Sequence, residues 1–103
     1  MDTKSILSKG TKIKTIKPSR LTPEEEIIRF IIQHKEEKFQ IQDIFEDTGI
    51  SKNIIIYMMD MAVYEYYLEK ELFSYDKEVY VIFSVTKHGK RDWLPSQEYV
   101  LYY

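Results

Sequence analysis

Apolar residues recur with helical spacing in the first half of the chain and with strand spacing in the second. The clearest helical stripe is Ile27, Ile28, Ile31 and Ile32. It follows Thr22, Pro23 and Glu25, which form a capping box with proline at the first helical position. The pattern predicts a first helix over most of residues 22–38, with its isoleucines facing a core.

A second, shorter helix is predicted over 40–47, with Ile41, Ile44 and Phe45 facing inward. Gly49 then permits a tight turn with positive φ, and Ile50 is the apolar turn residue that packs into the core. Ser51 is a favourable N-cap for a third helix reaching about Glu69. A short helix, a glycine turn and a longer capped helix are typical of a helix-turn-helix, although any αα-hairpin with a glycine turn shares this pattern.

The segment 68–90 changes to a period of two. An extended piece at 71–74, a turn at 75–78 and a strand at 79–85 predict a β-hairpin, because Val79, Val81, Phe83 and Val85 alternate with Tyr80, Ile82 and Ser84. Three helices followed by a hairpin is the order of a winged helix. We therefore expect an α+β winged helix-turn-helix fold, with a three-helix core, a two-stranded wing and a short C-terminal extension.

The stretches "DIFEDTGIS" and "LEKELF…DKEVYVIFSVTKHGK" resemble the winged helix-turn-helix transcription regulators of the small MarR/PadR-like type. The resemblance covers roughly residues 22–91 and includes a helix start at Thr86-Lys87-His88-Gly89. It implies a DNA-binding regulator. In composition the chain also resembles small winged helices encoded by viruses and plasmids of hyperthermophilic archaea. It departs from the regulators in having Glu71 or Leu72 where they usually have glycine, and in a third helix about one turn longer.

The third helix departs further in its surface chemistry. At 100° per residue, its core stripe is predicted to be Ile55, Met58, Ala62 and Tyr66. The opposite face carries Asn53, Ile56, Tyr57, Asp60, Tyr64 and Tyr67. Of these, Asn53 is suited to pairing with adenine, whereas Asp60 repels phosphates.

A helix that is apolar all round is normally covered on both sides. Either the aromatic segment 92–103 covers the third helix, or a second copy of the chain does. For a homodimer or a protein partner, the candidate interface residues are Tyr64, Tyr67, Trp93, Tyr99, Leu101 and Tyr103.

Charge is divided unevenly along the sequence. Residues 1–20 hold six basic residues and one acidic residue, a net charge of +5, while the remainder holds nine basic and sixteen acidic residues, a net charge of −7. We expect a basic flexible arm at 1–20, a winged-helix domain at 21–91 and an aromatic C-terminal segment at 92–103. The arm either contacts DNA phosphates or only solubilises the chain. The candidate DNA-binding residues are Lys9, Lys12, Lys14, Lys17, Arg20, Ser51, Lys52, Asn53, Tyr57, Lys77, Lys87, Lys90 and Arg91.

Composition argues against several classes of protein. There is no cysteine, and the two histidines, His34 and His88, lie in different segments. No metal-ligand cluster, catalytic triad or phosphate-binding loop is recognisable, so we expect no enzyme, metal or cofactor. No apolar run approaches a membrane span and no secretory signal is recognisable, so we expect an intracellular (cytoplasmic) protein. Abundant Lys and Glu with a single asparagine fit a thermophilic source, or equally an AT-rich genome.

The sequence thus predicts a transcriptional regulator that binds double-stranded DNA as a dimer. The alternative is a protein–protein interaction module that uses an acidic, tyrosine-rich face containing Tyr57, Tyr64 and Tyr67. Phosphate-mediated binding falls steeply with salt and an apolar interface does not, so salt dependence distinguishes the two.

Overall fold

The computed structural model describes residues 20–102. The elements, in chain order, are helices α1 (Pro23–Gln33), α2 (Ile41–Thr48) and α3 (Lys52–Tyr64), strands β1 (Leu68–Tyr75) and β2 (Glu78–Val85), helix α4 (Lys87–Asp92) and a C-terminal 3-10 helix (Leu94–Tyr102). The predicted arm residues Lys9, Lys12, Lys14 and Lys17, and the predicted interface residue Tyr103, lie outside the described residues.

Helix α1 begins as its sequence predicts. The Thr22 hydroxyl accepts a hydrogen bond from the Glu25 backbone N–H (3.1 Å), and the Glu25 carboxylate accepts one from the Thr22 N–H (3.0 Å). The helix ends earlier than expected, at Gln33, where His34 is the C-cap. Its buried face, with Ile27 and Ile31 fully enclosed, lies at the centre of the core.

The helix-turn-helix is present. Gly49 has φ 72° and caps α2, and its N–H donates to the Phe45 carbonyl (2.8 Å). Ile44 is fully buried, whereas Phe45, predicted to face inward, is 37% exposed. Ser51 is the N-cap residue of α3, as predicted, although its side chain makes no capping hydrogen bond.

Helix α3 ends at Tyr64, so the expected extension to about Glu69 is wrong. The chain leaves the helix at Tyr66, which has φ 65°, and enters β1 at Leu68, three residues before the predicted start of the strand. The buried stripe is Ile55, Met59 and Ala62, with Met59 taking the place predicted for Met58. Tyr66, predicted to be in the core, is exposed.

The wing is a regular antiparallel hairpin. Leu68 lies opposite Val85 at its base and Tyr75 lies opposite Glu78 at its tip. Asp76 and Lys77 form the two-residue loop, and both have positive φ, as in a type I′ turn. Phe39, between α1 and α2, adds a single bridge to the other side of β2, where it exchanges two backbone hydrogen bonds with Phe83 (2.9 and 2.8 Å).

Thr86 joins the wing to the end of α3. Its hydroxyl donates to the Tyr66 carbonyl (2.7 Å) and accepts from the Gly89 N–H (2.9 Å), which caps α4. Its own N–H donates to the Tyr67 carbonyl (3.0 Å). The C-terminal 3-10 helix packs on α1 and α4 and buries Leu94 and Val100, leaving the outer face of α3 exposed.

Candidate nucleic-acid interface

The first turn of α3 presents polar groups at the start of the second helix of the helix-turn-helix. Ser51, Lys52 and Asn53 are all exposed. The Ser51 carbonyl accepts from the N–H groups of Ile54 and Ile55, but within residues 20–102 the N–H groups of Lys52 and Asn53 have no acceptor. Two unpaired N–H groups at the positive end of a 13-residue helix favour an anion such as a phosphate. The Lys52 ammonium lies 5.2 Å from the centre of the Phe45 ring, which supports the side chain beside that turn.

Beyond this turn the outer face of α3 becomes apolar. Tyr57 is 63% exposed and Tyr64 is 78% exposed, with Ile56 and Met61 also accessible. Asp60 is exposed in the same stretch. Tyr67 was also predicted for this face, but that prediction is wrong, because Tyr67 lies after the end of the helix. This face therefore provides little for contact with phosphates.

The basic residues around α4 are largely neutralised. Lys90 donates to Glu36 (2.7 Å), a residue of the loop after α1. Arg91 pairs with Asp92 (3.0 Å), whose carboxylate also accepts a hydrogen bond from His88 Nδ1 (2.9 Å). Among residues 20–102, Lys87 has no carboxylate within ion-pair distance. Of the three basic residues predicted here, Lys87 is therefore the one most available to DNA.

These pairings shift the pKa values of their members. The Lys90 hydrogen bond holds the pKa of Glu36 below its ordinary value. Arg91, and then His88, lower the pKa of Asp92, while Asp92 raises the pKa of Arg91. The carboxylates of Glu36 and Asp92 therefore stay ionised at neutral pH and offset the charges of Lys90 and Arg91, so the cluster has little net positive charge to offer.

The wing tip carries little positive charge. Lys77 lies in the two-residue loop between Asp76 and Glu78. Nearer the base of the wing, Glu71 of β1 pairs with Lys38, which lies between α1 and α2 (3.4 Å). The wing of this protein is therefore weakly equipped to contact a phosphate backbone.

The predicted partner-interface residues are divided between the interior and the surface. Tyr67 stacks on Trp93, with ring centroids 4.8 Å apart, and on His88 at 5.2 Å, so both predicted interface residues are half-buried within the chain. Tyr64 and Leu101 remain exposed. Tyr99 is partly accessible, and its hydroxyl donates to Glu25 Oε2 (2.5 Å), which links the C-terminal helix to the start of α1.

The Tyr99 hydroxyl, followed by the Thr22 backbone N–H, holds the pKa of Glu25 below its ordinary value. A lowered pKa in the folded chain means that ionised Glu25 contributes stability above pH 4.5, and that this contribution is lost as the pH falls through the folded pKa. Tyr99→Phe is expected to raise the pKa of Glu25, measured by NMR titration of its carboxyl carbon. Tyr102→Phe, a change on an exposed ring, is the control; equal pKa values in the two variants would contradict the assignment.

A cleft of about 510 Å³ between the end of α1 and α2 is lined mainly by aromatic and acidic side chains. Two of its carboxylates are already bonded locally, Glu37 to His34 (2.8 Å) and Asp43 to the Gln40 N–H (2.8 Å). Within the part of the chain that the structure describes, no group of three or more metal-ligating side chains comes together, and no helix is long and apolar enough to cross a membrane.

Comparison with known proteins identifies the fold. The chain is similar to the adhesin competence repressor AdcR from Streptococcus pyogenes, with a TM-score of 0.58 and 15% identity over 79% of this chain and 57% of that one. It is also similar to the transcriptional regulator YodB from B. subtilis, with a TM-score of 0.58 and 17% identity over 78% of this chain and 76% of that one. A ZitR variant from Lactococcus lactis gives a TM-score of 0.59 and 16% identity over 86% of this chain and 58% of that one.

These likenesses confirm the predicted winged-helix fold. The chain spans little more than half the length of AdcR and ZitR. No family model matches the sequence, and no curated protein sequence does.

Proposed function

We propose that this chain is a transcriptional regulator that binds double-stranded DNA as a homodimer, inside the cell. The observation that carries the proposal is the exposed first turn of α3, where Lys52, Asn53 and two unpaired N–H groups lie at the positive end of the helix. The fold supports it, because structures of the same fold include a repressor and a transcriptional regulator. The basic residues of the arm supply the remaining positive charge.

The proposed binding depends mainly on phosphate contacts. Asn53 is the one side chain in the first turn of α3 suited to reading an adenine edge, and the next exposed turns present Tyr57 and Asp60. Helix N-termini and lysines position a protein on DNA without reading its sequence. We therefore expect modest sequence preference and a steep dependence of affinity on salt.

Charge reversal at the start of α3 tests the proposal. Lys52→Glu is expected to lower affinity for a mixed-sequence duplex about tenfold at low salt and to flatten the salt slope by about one unit per lost phosphate contact. Asp60→Asn is expected to raise affinity slightly. Fluorescence anisotropy across a salt series measures both changes. Lys35→Glu, the same charge change in the turn after α1, is the matched control, and an equal loss in the two lysine variants would contradict the proposed orientation.

Release of Lys90 provides a second test with the opposite sign. Glu36→Gln removes the carboxylate that holds Lys90 and is expected to raise affinity for duplex DNA two- to fivefold, roughly the effect of one additional phosphate contact. Glu98→Gln makes the same change in net charge elsewhere on the surface. If both variants bound DNA equally well, the gain in affinity would come from net charge alone, and Lys90 would not contact the DNA.

A protein partner is the second candidate, favoured by the outer face of α3. Tyr57 and Tyr64 are highly exposed there, and aromatic side chains contribute most of the energy of many interfaces. A partner bound at this face would be retained in high salt and lost in Tyr64→Glu. Such an outcome, without binding to DNA, would favour the interaction module.

A further inference from the structure

The outer half of the hairpin is apolar on both faces. Leu72, Phe73, Tyr75 and Val79 are 70%, 51%, 65% and 65% exposed. The register places Leu72 and Val79 on the face that packs on the core nearer the base, and Phe73 and Tyr75 on the opposite face. Charge in this half of the hairpin is confined to the turn and its flank. A wing that contacted only water or phosphate would not need this surface.

The outer edge of β1 also has unpaired backbone groups. Phe83 exchanges both of its backbone hydrogen bonds with Phe39. Its opposite residue in β1, Lys70, is therefore a non-hydrogen-bonded partner in the antiparallel ladder. By the alternation of the ladder, Lys70, Leu72 and Ser74 direct their N–H and C=O groups away from β2, and nothing within residues 20–102 bonds to them.

We propose that β1 of one chain pairs with β1 of a second copy, in antiparallel orientation, so that two hairpins form one four-stranded sheet. The inference rests on the homodimer of the proposed function and gives that dimer its surface. An exposed, flat and apolar edge strand promotes aggregation unless something covers it. Pairing about a twofold axis near Phe73 would join the free backbone groups of Leu72 in each chain to those of Ser74 in the other.

Charge restricts where the axis falls. Pairing centred on Lys70 would place Glu69 opposite Glu71, and pairing centred on Glu71 would place that residue opposite itself. Like charges directly opposite one another destabilise a strand pair. The stretch 72–74 carries no charge, so the axis lies there, with Phe73 close to its own copy.

Pairing at this edge covers the outer backbone of β1 and the flanks of Leu72, Phe73 and Tyr75, the three exposed apolar side chains on that strand. Val79 lies on β2, one strand away from the seam. A hairpin occupied in this way is not available to DNA, which agrees with its lack of positive charge.

Light scattering on the full chain in 0.5 M salt, at concentrations from 10 to 100 μM, tests the proposal, and a dimer is expected. Ser74→Pro removes one outward N–H without removing apolar surface or a ladder bond, since proline is tolerated on an edge strand. We expect it to weaken the dimer at least tenfold, as should Leu72→Glu, with the circular dichroism of the folded chain retained. Tyr102→Glu, at an exposed residue outside the hairpin, should stay dimeric.

Cross-linking provides an independent measurement, because the chain has no cysteine. Phe73→Cys is expected to form a covalent dimer on mild oxidation, and Tyr102→Cys is not. A monomer at all concentrations would overturn the proposal, as would a dimer lost in Leu101→Glu or Tyr64→Glu but kept in Ser74→Pro. If that monomer still bound DNA with a steep salt slope, the DNA-binding function would stand without this interface. A monomer in which residues 1–19 covered the edge of β1 would become a dimer when those residues were removed.

Discussion

Removal of residues 1–20 is expected to weaken binding of mixed-sequence duplex DNA by roughly 10²- to 10³-fold at low salt, because six basic residues are lost and each phosphate contact contributes about 0.9 to the salt slope. The remaining chain has a net charge of −7, so the arm is the largest source of attraction. Anisotropy titrations from 50 to 200 mM salt would measure both the affinity and the slope.

The cut keeps the residues that begin α1. Leu21 is buried and Thr22 caps α1, and both are retained when the chain begins at residue 21. The matched control keeps the arm but replaces Lys4, Lys9, Lys12, Lys14, Lys17 and Arg20 with glutamine. It should bind as weakly as the truncated chain. An arm whose basic residues can be removed without loss of affinity would only solubilise the protein.

Gly89→Ala is expected to lower the free energy of unfolding by about 3 kcal/mol, at the upper end of the usual cost of overpacking. A Cβ at this position would lie 2.3 Å from the Tyr67 carbonyl oxygen and 3.0 Å from Val85 Cγ1. That carbonyl is held by the Thr86 N–H, so it cannot move without opening the junction between α3, the wing and α4. Denaturant unfolding followed by circular dichroism measures the effect.

Gly49→Ala serves as the comparison for this prediction. A Cβ there would meet nothing within 4 Å, and the cost is that of holding alanine at φ 72°, about 1–2 kcal/mol. The larger loss is therefore expected at Gly89. A Gly89→Ala variant more stable than Gly49→Ala would show that the junction relaxes readily.

Much of the fold follows from local sequence. The capping box at Thr22, the turn at Gly49 and the alternation before Val85 each have a local cause, and all three were predicted in place. The end of α3 was not, because residues 65–67 are helix-compatible in isolation. Tertiary bonds from Thr86 to the carbonyls of Tyr66 and Tyr67 end the helix, and they come from about twenty residues later in the chain.

The candidate site was harder to predict for the same reason. Lys90 has the appearance of a phosphate contact in the sequence, but its partner Glu36 lies 54 residues away. Lys77, by contrast, stands between Asp76 and Glu78 in the sequence, so its weak positive charge can be expected without the structure. The exposure of Leu72 and Val79 could not be predicted from the sequence either, because an alternating pattern is the same whether or not the hairpin extends beyond the core.

In the proposed complex, DNA contacts the first turn of α3 and the arm, and the wing stays away from the DNA. A titration of the ¹⁵N-labelled full chain with a mixed-sequence duplex at low salt, following the backbone amide resonances, tests this arrangement. We expect the amide resonances of Lys52, Asn53, Lys87 and the arm to shift, and those of residues 72–79 to stay unchanged. Shifts concentrated at the wing tip, or none anywhere in the chain, would contradict it.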